Sequence, residues 1–233
     1  MADFFLIPDW PAPPNVKALV TTRAFGNLAD HIGDAPSAVA QRRAELRRYL
    51  PADPPWLVQV HGRTCVAAES AKQGVEADAL FAHSPKHVCA VLTADCLPVL
   101  LCDETGSVVA AVHAGWRGLA DGIIESTVAA MTDRPERLLA WLGPAIGPTA
   151  FEVGEEVRAA FLVNDAGAQN AFRAQSGGKW LCDLYALARR RLTRLGVARV
   201  FGGGRCTCTE MDQFFSFRRD PHAGRMASLI WIV

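Results

Sequence analysis

The chain has 233 residues, half of them apolar, and its 24 basic and 24 acidic side chains cancel to a formal net charge of zero. That length can bury a full core and fits one large domain, expected over residues 1–233, better than two small ones. A balanced charge leaves no electrostatic footprint for a phosphate backbone or an anionic lipid surface, which argues against nucleic acid and membrane as partners, and seven cysteines without small-domain spacing point to reduced thiols in a cytoplasmic setting.

Taken along the chain, the N-terminal MADFFLIPDW offers four apolar residues before Pro8, without a basic leader or a small-residue cleavage site, so no export signal is expected. Ser37 is placed to cap a helix running to about Tyr49, with Val39, Leu46 and Leu50 on one side, arginines on the other, and Pro51 as its stop. Strands are expected at 56–60, 88–93, 98–102 and 108–113. The apolar stretch 88–102 is interrupted by Asp95, and its length and charge fit a buried sheet better than a bilayer crossing. A helix should follow Trp116, where Leu119, Ile123, Ile124 and Val128 fall at near-helical spacing before Asp133 and Pro135 close it. Beyond a strand at 138–142 and a short helix at 155–162, Asp183 precedes a helix with Leu184, Leu187, Ala188, Leu192 and Leu195 on one face. Gly196 stands where a left-handed cap belongs. Two further strands at 197–201 and 227–233 complete the series. Several of these runs are apolar on both faces and so belong in sheets covered on both sides. The expectation is an α/β fold of layered mixed β-sheets with a sandwich-like core, flanked by helices.

Three short segments concentrate the chemistry: Gln59-Val60-His61-Gly62, Thr93-Ala94-Asp95-Cys96-Leu97-Pro98 and His113-Ala114-Gly115-Trp116-Arg117-Gly118. Each places a metal-capable residue at the expected end of an apolar strand, where distant segments converge, and the neighbouring glycines let backbone turn sharply or approach closely. Two imidazoles and one thiolate suit zinc, and three protein ligands leave the fourth tetrahedral position open. Singly, however, His61 or His113 is more often a hydrogen-bonded core histidine and Cys96 a small buried hydrophobe. Asp95 and Gln59 are candidates for supporting the ligands by hydrogen bonds, and Arg117 for holding an anion.

Other readings of the same residues stay open. Two histidines and a cysteine also form a blue-copper set, although a full laccase needs several coppers and many histidines and this chain has six. Cys96 activated by His113 would make a metal-independent thiol hydrolase of amides. A zinc-stabilised binding module would normally use four protein ligands. Cys206-Thr207-Cys208 and Gly202-Gly203-Gly204 read as loop segments. The run Phe214-Phe215-Ser216-Phe217-Arg218-Arg219-Asp220 reads as a core strand leading to a turn, or as aromatics and cations arranged for a flat, anionic ligand.

The ordered motifs QVHG, TADCLPVLL, AAVHAGWRG, WLGPAIGP, FEVG, FFSFRRD and GRMASLIW resemble the YfiH family, whose members are also called polyphenol oxidases or laccase-domain proteins. The likeness runs from Thr21-Thr22-Arg23 to the C-terminus. It implies an α/β domain and a zinc held by His61, Cys96 and His113. It also implies phosphorolysis of adenosine, inosine and methylthioadenosine, with deamination of adenosine as a second activity, by a monomer or homodimer whose partners are purine nucleosides and phosphate. On that reading zinc activates water for deamination while Asp95 moves protons, Arg23, Arg117 or Arg218 positions phosphate, and Asn27 and Gln59 join the substrate-binding residues. Two departures stand out: the glycine-rich loop after Arg23 is shortened to Ala24-Phe25-Gly26, which would trim a substrate-facing wall, and Thr149 and Ala150 stand where relatives carry cysteines.

Overall fold

The computed structural model describes residues 4–233; the first three residues of the expected domain lie outside them. In chain order, apart from short 3-10 turns, the elements are β1 (Phe5–Leu6), β2 (Val16–Thr21), α1 (Pro36–Arg47), β3 (Cys65–Ala67), β4 (Ala79–Ala82), β5 (Val88–Thr93), β6 (Leu97–Asp103), β7 (Val109–Ala114), α2 (Trp116–Asp121), α3 (Ile123–Met131), β8 (Leu138–Leu142), β9 (Glu152–Val153), α4 (Glu155–Leu162), β10 (Phe172–Ala174), β11 (Trp180–Cys182), α5 (Leu184–Arg194), β12 (Arg199–Gly202) and β13 (Met226–Ile232).

Two sheets carry the architecture. One has the strand order β1-β2-β13-β5 and is antiparallel throughout; the other has the order β12-β8-β6-β7-β4-β3 and is mixed, with β12 parallel to β8 and β3 parallel to β4. A small sheet, β10-β11-β9, stands apart from both. The period-two alternation of a strand explains why the central runs are apolar without interruption. In β6, Leu100 and Cys102 join Val91 of β5 and Ile230 of β13 in the core between the two large sheets. Val99 and Leu101, on the opposite face, pack with Ile124 of α3 and Leu187 of α5. The outer face of the four-stranded sheet is covered by Leu46, Leu50 and Trp56 against Ala90 and Leu229. Two sheets are thus stacked between helices, as the sequence pattern implied.

Local chemistry corrects some boundaries. Ser37 does not cap α1: the helix begins at Pro36 after Ala35, with no side-chain cap, because a proline at the first position is preset for the helix and lacks an N–H to satisfy. Asp183 does cap α5, its carboxylate accepting from Ala186 N, and Gly196 follows at φ 91°. The helix expected after Trp116 is two helices, broken where Gly122 adopts φ 98°. The segment 56–60 is not a strand: beyond an isolated bridge between Val58 and Glu76, the Gln59 side chain binds β5, accepting from Leu92 N at 2.7 Å and donating to Leu92 O at 2.8 Å. An amide side chain has replaced the backbone ladder. Among the described residues no helix is long and apolar enough to cross a membrane.

Candidate metal centre

Along β7, Val109 and Ala111 face the core between the large sheets, and alternation puts His113 in the same row at the strand's end, opposite Pro98 of β6. Cys96 lies on the short crossing that carries the chain from β5 to β6, where Asp95 adopts φ 88°. His61 comes from a loop, itself at φ 59°, a backbone conformation that costs a non-glycine residue energy and persists only when its surroundings impose it.

Asp78 imposes it. This carboxylate, fully buried just before β4, accepts from the backbone N–H groups of His61 at 3.0 Å, Gly62 at 2.7 Å and Val60 at 3.3 Å. Its Oδ1 also accepts from His113 Nδ1 at 2.7 Å, while its own carbonyl accepts from His113 N at 2.7 Å. One side chain therefore fixes the His61 loop and the ring of His113 together, and commits Nδ1 of His113 so that Nε2 is the free nitrogen. Close approach is secured by glycines: a Cβ on Gly115 would fall 2.8 Å from the His61 ring and 3.0 Å from Cys96 Sγ, and one on Gly118 would fall 2.6 Å from the Gly62 carbonyl.

The donor atoms of His61, Cys96 and His113 lie within 4.8 Å of one another, with Cys96 Sγ 3.8 Å from His61 Nε2. Zinc-length bonds at a tetrahedral angle give an S···N edge of about 3.6 Å, so the set fits a metal. It is the one group of three or more His, Cys, Asp or Glu side chains among the described residues that could hold an ion. Burial alone would raise the Cys96 thiol, but the His113 charge and hydrogen bonds from both imidazoles outweigh it and bring the thiol down to about 6. Burial alone would lower His113, yet the Cys96 charge and the bonded Asp78 carboxylate hold it up at about 9. Desolvation opposes ionisation of Asp78 too, and the His113, Gly62 and His61 contacts overcome it. Both shifts favour the charged forms, thiolate on Cys96 and imidazolium on His113.

The three residues line a cavity of about 690 Å³, within the range of small-molecule sites. Its wall carries three arginine–aromatic pairs: Arg117 over Trp116 at 4.4 Å, Arg218 over Phe151 at 5.5 Å and Arg225 over Phe217 at 5.7 Å. Thr93 lines it as well, with a buried hydroxyl that has no hydrogen-bond partner among the described residues.

A family model described as multi-copper polyphenol oxidoreductase laccase matches residues 20–233. The chain belongs to that family. It is 51% identical over 98% of its length to a Shigella flexneri protein called purine nucleoside phosphorylase YfiH, and 50% identical over 98% to the Escherichia coli K12 protein of the same name, covering 98% of each relative. Among solved structures, Neisseria meningitidis protein NMB0706 superposes with a TM-score of 0.95 at 50% identity, with 99% of each chain covered. YlmD from Geobacillus stearothermophilus does so with 0.88 at 27% identity, over all of this chain and 97% of that one. The YfiH resemblance read from the motifs is therefore shown.

The remaining residues singled out in the sequence fall into two groups. Gln59, Asp95, Arg117 and Arg218 line the cavity; Arg23 and Asn27 do not. Arg23 donates to the Met211 carbonyl and stacks on Phe215, while buried Asn27 accepts from Ala29 N and Arg225 N. Gln59 supports Leu92 rather than His61. Asp95 accepts from Thr207 Oγ1 at 2.6 Å, Ser216 Oγ at 3.1 Å and Arg218 N at 2.6 Å, which makes it the anchor of segment 207–218 and leaves the ligand-supporting role to Asp78. That segment is turn rather than core strand, and its Phe217 and Arg218 form cavity wall. The turn at 24–26 is not among the cavity's lining residues, whereas Asp30 and His31 just beyond it are. Asp78 and Arg225 were missed; the signal for each was a charged residue set directly against an apolar strand.

Replacing Asp78 with Asn removes the charge while keeping the shape, and should lower metal affinity roughly ten- to a hundredfold in chelator competition; unchanged affinity would deny Asp78 its role. In the metal-stripped protein, iodoacetamide should modify Cys96 at pH 7 and lose that reaction as pH falls below about 6. Cys65 and Cys102, pushed by burial up to about 11 and about 12, should be spared. A Cys96 reaction that begins only above a pH of about 8, as for an ordinary thiol, would contradict the assignment.

Proposed function

We propose that this chain is a zinc-dependent purine nucleoside phosphorylase acting on adenosine, inosine and S-methyl-5′-thioadenosine, with deamination of adenosine as a second activity. The observation that carries the reading is the His61–Cys96–His113 donor set opening onto a cavity that combines aromatic faces with guanidinium groups. Relatives about half identical over nearly the whole chain bear the phosphorylase name, which supports it. Three donors rather than four favour an open site, and bound there zinc supplies a Lewis acid beside the substrate.

The chain's own residues do the rest. Trp116, Phe151 and Phe217 offer faces to a flat base, and Leu92, Ile146 and Leu184 line the cavity with apolar surface that excludes water. Phosphorolysis joins a phosphate oxygen to C1′ as the bond from C1′ to the base breaks, so cations on the wall hold the nucleophile and offset the charge it brings. None of the seven cysteines is in a disulfide, in keeping with a cytoplasmic enzyme.

A second reading rests on Cys96 itself: a thiolate favoured by His113 is also the start of a metal-independent thiol hydrolase. A copper centre on the same residues, the basis of a polyphenol oxidase, would be intensely coloured, whereas zinc is spectroscopically silent.

Phosphate-dependent release of hypoxanthine from inosine, followed beside ammonia release from adenosine, tests the proposal. Cys96→Ala should lose metal and both activities together while keeping its thermal transition. Phosphorolysis that persists in metal-free Cys96→Ala would remove the metal from the reaction, and chelator-resistant amide hydrolysis with covalent trapping at Cys96 would favour the thiol reading.

A further inference from the structure

Resting on the phosphorylase reading, we infer that Arg225 is the residue that binds the phosphate co-substrate, from a position at the head of β13. The four arginines near the site differ in what their guanidinium groups already do. Arg23 is off the cavity. Arg218 has both terminal nitrogens engaged, Nη1 with the Ala150 carbonyl at 3.3 Å and Nη2 with the Glu152 carbonyl at 2.9 Å. Arg117 is exposed and stacked on Trp116, where solvent weakens its pull on an anion.

Arg225 is different. It is half-buried on the cavity wall and no carboxylate lies within ion-pair distance of it among the described residues. Among the described residues only its Nη1 is committed, to the carbonyls of Ala223 and Gly224, so Nε and Nη2 remain as a two-pronged donor edge of the kind that matches a tetrahedral oxyanion. Cys96 and Asp95 act on its charge from beyond ion-pair distance, and an anionic ligand on the free edge would add the close counter-ion that a half-buried guanidinium favours.

Its backbone is held as firmly as the donor edge is free. Arg225 N donates to Asn27 Oδ1 at 2.9 Å, and a Cβ at Gly224 would meet Asn27 and the Phe215 ring at 2.8 Å, so the chain enters β13 through a tight channel. Asn27 is thus a positioning residue for Arg225. The adjoining strand end adds a second unfilled group: Thr93, paired with Met226 in register, carries a buried hydroxyl in the same cavity with no hydrogen-bond partner among the described residues.

The test is calorimetric titration of the metal-loaded full chain with inorganic phosphate, beside KM measurements for phosphate and inosine. Arg225→Gln should weaken phosphate binding roughly ten- to a hundredfold, raise the phosphate KM in step, leave the inosine KM and metal content near wild type, and be partly rescued by Arg225→Lys. Undiminished phosphate binding by a folded Arg225→Gln protein would overturn the assignment, as would failure of the wild type to bind phosphate. A larger Arg225-dependent affinity for adenosine 5′-monophosphate would assign the residue to an esterified phosphate and likewise overturn it. Arg225-dependent phosphate binding without base release would instead sink the phosphorylase reading and leave the anion site standing.

Discussion

The site depends on one buried carboxylate. Asp78 receives three consecutive backbone N–H groups from the loop of His61 and the ring N–H of His113, and so ties the two imidazole-bearing segments together. A carboxylate this deeply buried is stable as an anion only because every donor it meets is in place. Removing one partner from such a buried charged group costs about 3–5 kcal/mol, far more than an ordinary surface contact. The same bonds hold His61 at positive φ, so local strain and electrostatic attraction are balanced against each other at a single point.

The stacked sheets set the place of that balance. The core row of β7 runs through Val109 and Ala111 to His113, and that of β5 through Cys89 and Val91 to Thr93. Apolar side chains fill the sandwich until its end, where the rows change to polar residues and the cavity opens. A packed interior of this kind is rigid, which holds the ligand-bearing strand and the Cys96 crossing in fixed relation. The glycines at 115 and 118 then let α2 close over the metal-binding side chains without collision.

Much of this was legible in the sequence because it is written in local pattern. Runs apolar on both faces announced covered sheets, Asp183 and Gly196 bracketed α5, and the three short motifs carried the three side chains that come together as a group able to hold a metal. What escaped was long-range. Gln59 imitates a strand by bonding Leu92, thirty-three positions away, and Asp78 meets His113 thirty-five positions away. Nothing in the spacing of a polar residue tells whether its partner is a ligand or a neighbouring backbone. Asp95, adjacent to Cys96 in sequence, points instead to Thr207 and Ser216, because the positive φ at that position turns its side chain to the 207–218 segment.

The family description speaks of several coppers, whereas the described residues of this chain bring together a single three-donor group, built from two imidazoles and one thiolate. That group, clamped by Asp78 and open on its fourth side, is the central claim. X-ray absorption at the metal edge of protein purified without added metal tests it most directly. The account predicts zinc with two nitrogen donors, one sulfur at about 2.3 Å and one further light atom from solvent. A shell without sulfur, or one closed by four protein donors, would contradict it.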